Sequence, residues 1–163
     1  MWDKLLKIIK QYKKLNLHEV IDYEKFCEMS IVWHSTKIEG CSLSETDTKV
    51  LLENDITAAG KPLKDHLMVK DHFAGLQFIK QQAKFKRKIS TEFICEIREL
   101  VMKNTGNTTN TASGSFDTSK GDLRLAQVYV EKKYFPDFKK VTDLLKQLCQ
   151  TANELTMLKI LKF

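Results

Sequence analysis

Arginine is almost missing from a chain that is otherwise basic. Against 21 Asp and Glu stand 27 Lys and Arg, yet only Arg87, Arg98 and Arg124 are arginines, so the net charge of +6 is a lysine charge. Arginine reads phosphates and base edges with a planar fork of donors, whereas lysine is a hydrated point charge. The imbalance argues against a specific nucleic-acid reader and describes a solvated surface. Cysteine is sparse and scattered: Cys27, Cys41, Cys95 and Cys149 contain no C-x-x-C pair. That removes zinc-ribbon and thioredoxin-like spacings. A secretory leader, with its apolar core and small-residue cleavage site, is not seen at the N-terminus. The expectation is a cytoplasmic chain with free thiols, in which Asn107-Thr108-Thr109 matches a glycosylation triplet by chance. No apolar run approaches the ~18 residues of a spanning helix, so neither a membrane span nor a membrane partner is expected. His66 and His72, six apart, do not share a helix face at a metal-binding spacing, and no metal site is expected.

What is present is enough for one compact domain. A chain of 163 residues with 42% hydrophobic content buries roughly two-thirds of its unfolded surface on folding. The periodicity is helical almost throughout. Met1 to Leu17 places Trp2, Leu5, Ile9 and Tyr12 at three- and four-residue steps with lysines elsewhere, which reads as a short amphipathic helix docked on its own domain, the pattern being shared by membrane-surface helices. His18 to Ile38 is a second helix with a stripe of Val20, Tyr23, Cys27 and Ile31, stopped by Gly40. Ser44 with Asp47 starts a short helix that Asn54-Asp55 ends. After the Ala59-Gly60-Lys61-Pro62 turn, Leu63 to Lys80 is a longer helix with apolar residues at 63, 67, 73 and 74 and, within 76 to 79, at 76, 78 and 79. Beyond the basic connector 84–88, Ser90 caps a helix whose Ile94, Ile97, Leu100 and Val101 share a face. From Asn104 to Gly121 the Thr, Ser, Asn and Gly content predicts a long polar loop. Asp122 to Val130 follows as an edge strand or hairpin closed by Pro136, and Phe138 to about Leu161 is a final helix. The predicted fold is mainly α with one small β-hairpin.

Several of these segments resemble, in order, those of the Fic (Fido) domain family. Trp33 to Ser44, with its Ser35-Thr36-Lys37-Ile38-Glu39-Gly40 core, is similar to the segment that opens many such domains. Thr57 to His66 and Asp71 to Leu76 resemble the next two blocks, although Met68 and Asp71 stand where relatives more often have Glu and Asn. Gly121, Leu123, Arg124 and Val128 are similar to the G-x-x-R-x-x-x-V start of the family's β-hairpin flap, and Pro136 to Leu148 to the helix behind it. The resemblance covers roughly Ile31 to Leu148. It implies a helical Fic-like fold with a flap, divided into N-terminal helices over 1–30 and a partial Fic-like domain over 31–163.

The resemblance also implies an activity for a complete relative: transfer of AMP from ATP to a hydroxyl of a target protein. There, a His in H-x-F-x-[D/E]-G-N-G-R-x-x-R serves as general base, the acidic residue holds a divalent metal, and the glycine-rich turn cradles phosphates, a division of labour suited to phosphoryl-group chemistry. This stretch does not occur in the 163 residues: the last His is His72, the last Gly is Gly121 and the last Arg is Arg124. No catalytic residue is expected, and ATP with Mg²⁺ belongs to a complete relative rather than to this chain. Ser35, Glu39 and Gly40 match the family's inhibitory motif, whose Glu pairs with an arginine of the catalytic loop in the place of a phosphate. Gly121, Leu123, Arg124 and Val128 are the implied target-docking flap. Three readings follow: the front part of an adenylyltransferase, inactive alone; a free-standing antitoxin-like regulator; and a basic helical nucleic-acid or membrane-surface binder, disfavoured by the scarcity of Arg and the absence of a clustered basic-aromatic face. The expected partners are a target protein or a Fic catalytic core. Self-association is the further possibility, through the apolar faces of Ile94, Ile97 and Val101 and of Val141, Leu144 and Leu148.

Overall fold

The computed structural model describes residues 2–15, 22–131 and 133–160, with side chains over 4–15, 22–131 and 133–156. Its helices are α1 (Trp2–Lys14), α2 (Tyr23–Ile38), α3 (Glu45–Asn54), α4 (Leu63–Lys84), α5 (Thr91–Val101) and α6 (Phe138–Ile160). Between α5 and α6 lie two antiparallel ribbons, β1 (Thr108–Thr111) with β2 (Gly114–Asp117), and β3 (Tyr129–Val130) with β4 (Lys133–Tyr134). The fold is mainly helical with small two-stranded ribbons, as the sequence predicted. Helix α4 is its centre: α2, α3 and α5 pack on it, and α5 carries the 3₁₀ turn Thr118–Lys120 on one side and α6 on another. Residue 30, where the sequence reading parts the N-terminal helices from the rest, falls inside α2.

A small closed core joins Val32 of α2, Cys41 and Leu43 of the following corner, Leu51 of α3 and Val69 of α4. Fully burying a Val or Leu side chain contributes about 1.5–3 kcal/mol, so these few residues dominate the local balance. The stripe expected on α2 is not the buried one. Val20 lies outside the described residues, Tyr23 and Ile31 are exposed, and Met29, Val32 and Thr36 face the core instead. Apolar residues lie on every side of α2, so periodicity could not choose among them. Thr36 fits the interior because its hydroxyl donates to the Val32 carbonyl at 3.0 Å.

Helix α3 starts as expected, with the Ser44 hydroxyl accepting from the Asp47 N–H at 3.1 Å and the Asp47 carboxylate accepting from the Ser44 N–H at 3.0 Å. It stops at Asp55, whose φ of 57° is left-handed. Helix α4 runs to Lys84, beyond the expected Lys80, and its buried side is not the expected apolar set. Leu63 is exposed, while Asp65, His66, Val69, Asp71 and Gly75 are buried. Buried polar groups are tolerated where each has a partner, and these do. Asp65 accepts from the Ser42 N–H at 2.7 Å and the Ser42 hydroxyl at 2.5 Å. His66 Nε2 accepts from the Ala58 N–H at 2.9 Å, which leaves Nδ1–H to donate to the Pro62 carbonyl at 2.9 Å. At Gly75 a Cβ would lie 2.8 Å from a Val101 methyl, so the glycine sets how closely α5 approaches.

The segment from Asn104 to Gly121 is not the loop that its composition predicted. It holds the β1–β2 hairpin, paired from Thr108 opposite Asp117 to Thr111 opposite Gly114, and then the 3₁₀ turn. Only Phe116 of this hairpin is buried, so no alternation marked the strands in advance. Conversely, the expected strand over Asp122 to Val130 is irregular until Tyr129; Leu123 and Leu125 are half-buried there without ladder partners. Helix α5 is capped by the Ser90 hydroxyl, which accepts from the Phe93 N–H at 3.2 Å. Ile94, Ile97 and Val101 are half-buried, whereas Leu144 and Leu148 of α6 are exposed.

Candidate functional site

The first candidate is the corner that ends α2. Gly40, at φ 88°, is left-handed, which permits the Cys41 N–H to reach the Thr36 carbonyl at 3.0 Å and the Gly40 N–H to reach the Lys37 carbonyl at 3.1 Å. These two bonds form a Schellman motif, in which glycine carries the reversal without a Cβ clash. The corner is further held by the Trp33 indole N–H, which donates to the Leu43 carbonyl at 3.3 Å, and by burial of Cys41 and Leu43. Glu39 is therefore presented by a fixed frame, as the cap residue of the helix. Ser35 is half-buried one turn earlier.

Glu39 is electrostatically out of place. A carboxylate at a helix C-terminus faces the negative end of the dipole, a cost of about 0.3–1 kcal/mol. Its side chain is exposed and has no salt bridge among the described residues. It opens onto a cavity of about 300 Å³ together with Lys64, Met68, His72, Val101, Met102 and Thr105. His72 Nδ1 lies 2.9 Å from the Met68 carbonyl. Donation there leaves Nε2 as an acceptor. The lining thus sets the Glu39 carboxylate and the His72 imidazole, both able to accept hydrogen bonds, beside the Lys64 ammonium, with Met68, Val101 and Met102 as apolar wall. Sequence reading had missed Lys64 and His72 as neighbours of Glu39, because nothing local links α4 to the end of α2.

The second candidate is the flap. Gly121, buried and left-handed at φ 74°, sits so close to α5 that a Cβ there would be 2.3 Å from the Cys95 carbonyl oxygen. Leu123 is half-buried. The Arg124 guanidinium donates through one arm to the Ala126 carbonyl and through the other to the Pro136 carbonyl. It braces the chain on both sides of the β3–β4 ribbon. The exposed Val128 has its carbonyl bonded to the Phe135 N–H at 3.0 Å, and the rings of Tyr129 and Tyr134 face each other with centroids 5.8 Å apart. Behind the ribbon, Arg124, Val128, Phe135, Val141, Leu145 and Leu148 border a cavity of about 400 Å³. Glu39 and the flap thus border separate cavities. Among the described residues no group of three His, Cys, Asp or Glu side chains gathers as metal ligands do.

The helical fold with its small two-stranded ribbons is similar to that of solved Fic domain proteins. The chain is structurally similar to Fic-1 of C. elegans, at TM-score 0.61 and 26% identity over 80% of this chain and 36% of that one. It is also similar to a Fic domain containing signaling protein of Bacteroides thetaiotaomicron, at TM-score 0.51 and 26% identity over 68% of this chain and 47% of that one. The chain therefore spans between a third and a half of the length of these relatives. No family model and no curated protein matches it.

Proposed function

We propose that the chain is the inhibitory-helix and flap portion of a Fic-type protein adenylyltransferase, and that these 163 residues do not transfer AMP by themselves. The observation that carries this reading is Glu39, a carboxylate held by a glycine corner at an unfavourable helix end and open to a cavity. Supplied to a Fic core that carries the H-x-F-x-[D/E]-G-N-G-R-x-x-R loop, Glu39 takes a guanidinium of that loop and occupies the place of a phosphate. In that arrangement the chain regulates a catalytic core, whether the two are continuous or separate.

On this reading ATP and Mg²⁺ belong to a complete relative rather than to the residues present. A triphosphate is usually held at an uncapped helix N-terminus; the starts of α2, α3, α5 and α6 are met by acids or hydroxyls, whereas α4 begins at Pro62 with no side-chain cap. Asp22 caps α2, Ser44 and Asp47 close α3, Ser90 and Glu92 close α5, and Asp137 accepts from the Lys139 N–H at the start of α6. Asp65 stands in the first turn of α4. Loss of a general base alone costs about 10²–10⁴ in rate, before loss of the phosphate site is counted.

The purified chain, incubated with labelled ATP and Mg²⁺, is expected to incorporate no label above buffer. Robust labelling that survives mutation of every His would sink the proposal. Added to a Fic core that lacks its own inhibitory helix, the wild-type chain is expected to lower AMP transfer and Glu39→Gly to leave it unchanged. Equal inhibition by both would make Glu39 an ordinary surface residue.

A further inference from the structure

Most of the net charge of this protein sits in one short helix. Residues 1–15 hold five lysines against Asp3, which is +4 of the chain's +6. On a wheel of 100° per residue, Leu5, Leu6, Ile8, Ile9, Tyr12 and Leu15 fill one half of α1 and its continuation. Asp3, Lys4, Lys7, Lys10, Gln11 and Lys14 fill the other half, and Lys13 falls within the apolar half between Ile9 and Leu6. The sequence reading docked the apolar half on the domain. In the structure it is open: Leu6 and Ile8 are each 53% exposed and Leu15 64%, with Leu5, Ile9 and Tyr12 exposed beside them. An edge contact between the Tyr12 and Tyr23 rings, 6.4 Å between centroids, is the aromatic tie to α2.

We propose that α1 is a membrane-surface helix that lies in the headgroup region of an anionic bilayer. A high helical amphipathicity, a lysine-rich polar face and low overall hydrophobicity define that class of helix. The charge is what selects the occupant. From Lys4 to Leu15 there is no acidic side chain, so this stretch offers five cations to a surface of diffuse negative charge. The apolar sector spans half the circumference, wider than the ~100° stripe that docks on a protein core. At 13 residues it is about 20 Å long, too short to cross a bilayer. None of the described helices is apolar enough to cross one. The helix therefore lies flat, with leucine and isoleucine towards the acyl chains and lysine towards the phosphates.

The test is flotation of the full chain with vesicles of phosphatidylcholine alone and of phosphatidylcholine mixed with phosphatidylserine. Expected are binding to the mixed vesicles, little to the neutral ones, and release by salt. Leu5→Gln with Ile8→Gln is expected to weaken partitioning about tenfold or more at an unchanged melting temperature, because both side chains are already in water in the free protein. Lys7→Gln with Lys10→Gln is expected to weaken it about fivefold per lysine. Absence of binding to the anionic vesicles would overturn the proposal, as would binding indifferent to the Leu5 and Ile8 substitutions. So would a lipid-free dimer that those two substitutions dissociate, since a second copy would then be what covers α1.

Discussion

The Asp71 carboxylate on α4 receives two hydrogen bonds from Asn104, one from its backbone N–H at 2.8 Å and one from its side-chain amide at 2.6 Å. Asp71 is 3% exposed. It ties the chain just past the end of α5 to the central helix, and so sets where the β1–β2 hairpin and the flap begin. The pair explains how a buried acid is accommodated here: both donors come from one residue, in a fork that fits a carboxylate.

Asp71→Ala is expected to destabilise the fold by about 1.5–3 kcal/mol, because it removes two hydrogen bonds to a buried carboxylate, while the exposed Asn104 can turn its freed donors to water. Asp71→Asn is expected to cost only about 1 kcal/mol, since a flipped Asn104 amide can accept from the new side chain while the charge assistance is lost. Urea unfolding measures both. Equal losses would mean that the charge, rather than the fork, carries the contact.

Gly121→Ala is expected to be among the most damaging single changes in the flap region, at least about 3 kcal/mol, since the new methyl would lie 2.3 Å from the Cys95 carbonyl oxygen at a left-handed φ. Gly60→Ala is the control. Gly60 is also left-handed, at φ 73°, but has nothing within 4 Å of a Cβ, so only the backbone preference is lost, about 1–2 kcal/mol. Comparable urea midpoints for the two variants would remove the steric argument.

Arg124→Ala is expected to loosen the β3–β4 ribbon without unfolding the helices, because the guanidinium bonds carbonyls on both sides of the ribbon and both ribbon strands are exposed. Trypsin cleavage at Lys133 should accelerate while the stability read from the helical signal stays within ~1 kcal/mol of wild type. Arg124→Lys should not restore protection, since one ammonium cannot reproduce a planar two-armed fork. Unchanged cleavage would show that the ribbon holds without its brace.

Acid should weaken the α2–α4 corner before it melts the helices. The Asp65 carboxyl is held below the usual range, first by the Ser42 hydroxyl and then by the Ser42 N–H. A carboxyl with a depressed folded value stabilises the fold fully above its unfolded value near pH 4, and the contribution disappears as pH falls through the folded value. Ser42→Ala removes the larger cause. It is therefore expected to lower stability at neutral pH and to flatten the loss of stability as pH falls below the unfolded value near 4. Far-UV circular dichroism during acid titration reads this, and parallel curves for the two proteins would discount the Ser42–Asp65 pair.

The sequence by itself determined what has a local cause. Ser44 with Asp47 and Ser90 mark helix starts because a short oxygen-bearing side chain reaches the free N–H groups within its own turn. Gly40 marks a helix stop because only glycine takes the left-handed corner without strain. The order of helices, the presence of a small ribbon and the Ser35-to-Gly40 segment that resembles an inhibitory motif were all legible for that reason. What only the tertiary structure decided depends on residues far apart in the chain. Met29, Val32 and Thr36 became the buried face of α2, rather than Tyr23 and Ile31, because α4 lies on that side. Asp65, His66 and Asp71 could enter the core only because Ser42, Ala58, Pro62 and Asn104 arrive to bond them. The hairpin inside a polar stretch, and the cavity that sets Glu39 beside Lys64 and His72, have no periodic trace for the same reason. A side chain's partner across the fold costs or contributes several times what its own propensity does, and that partner is not written next to it.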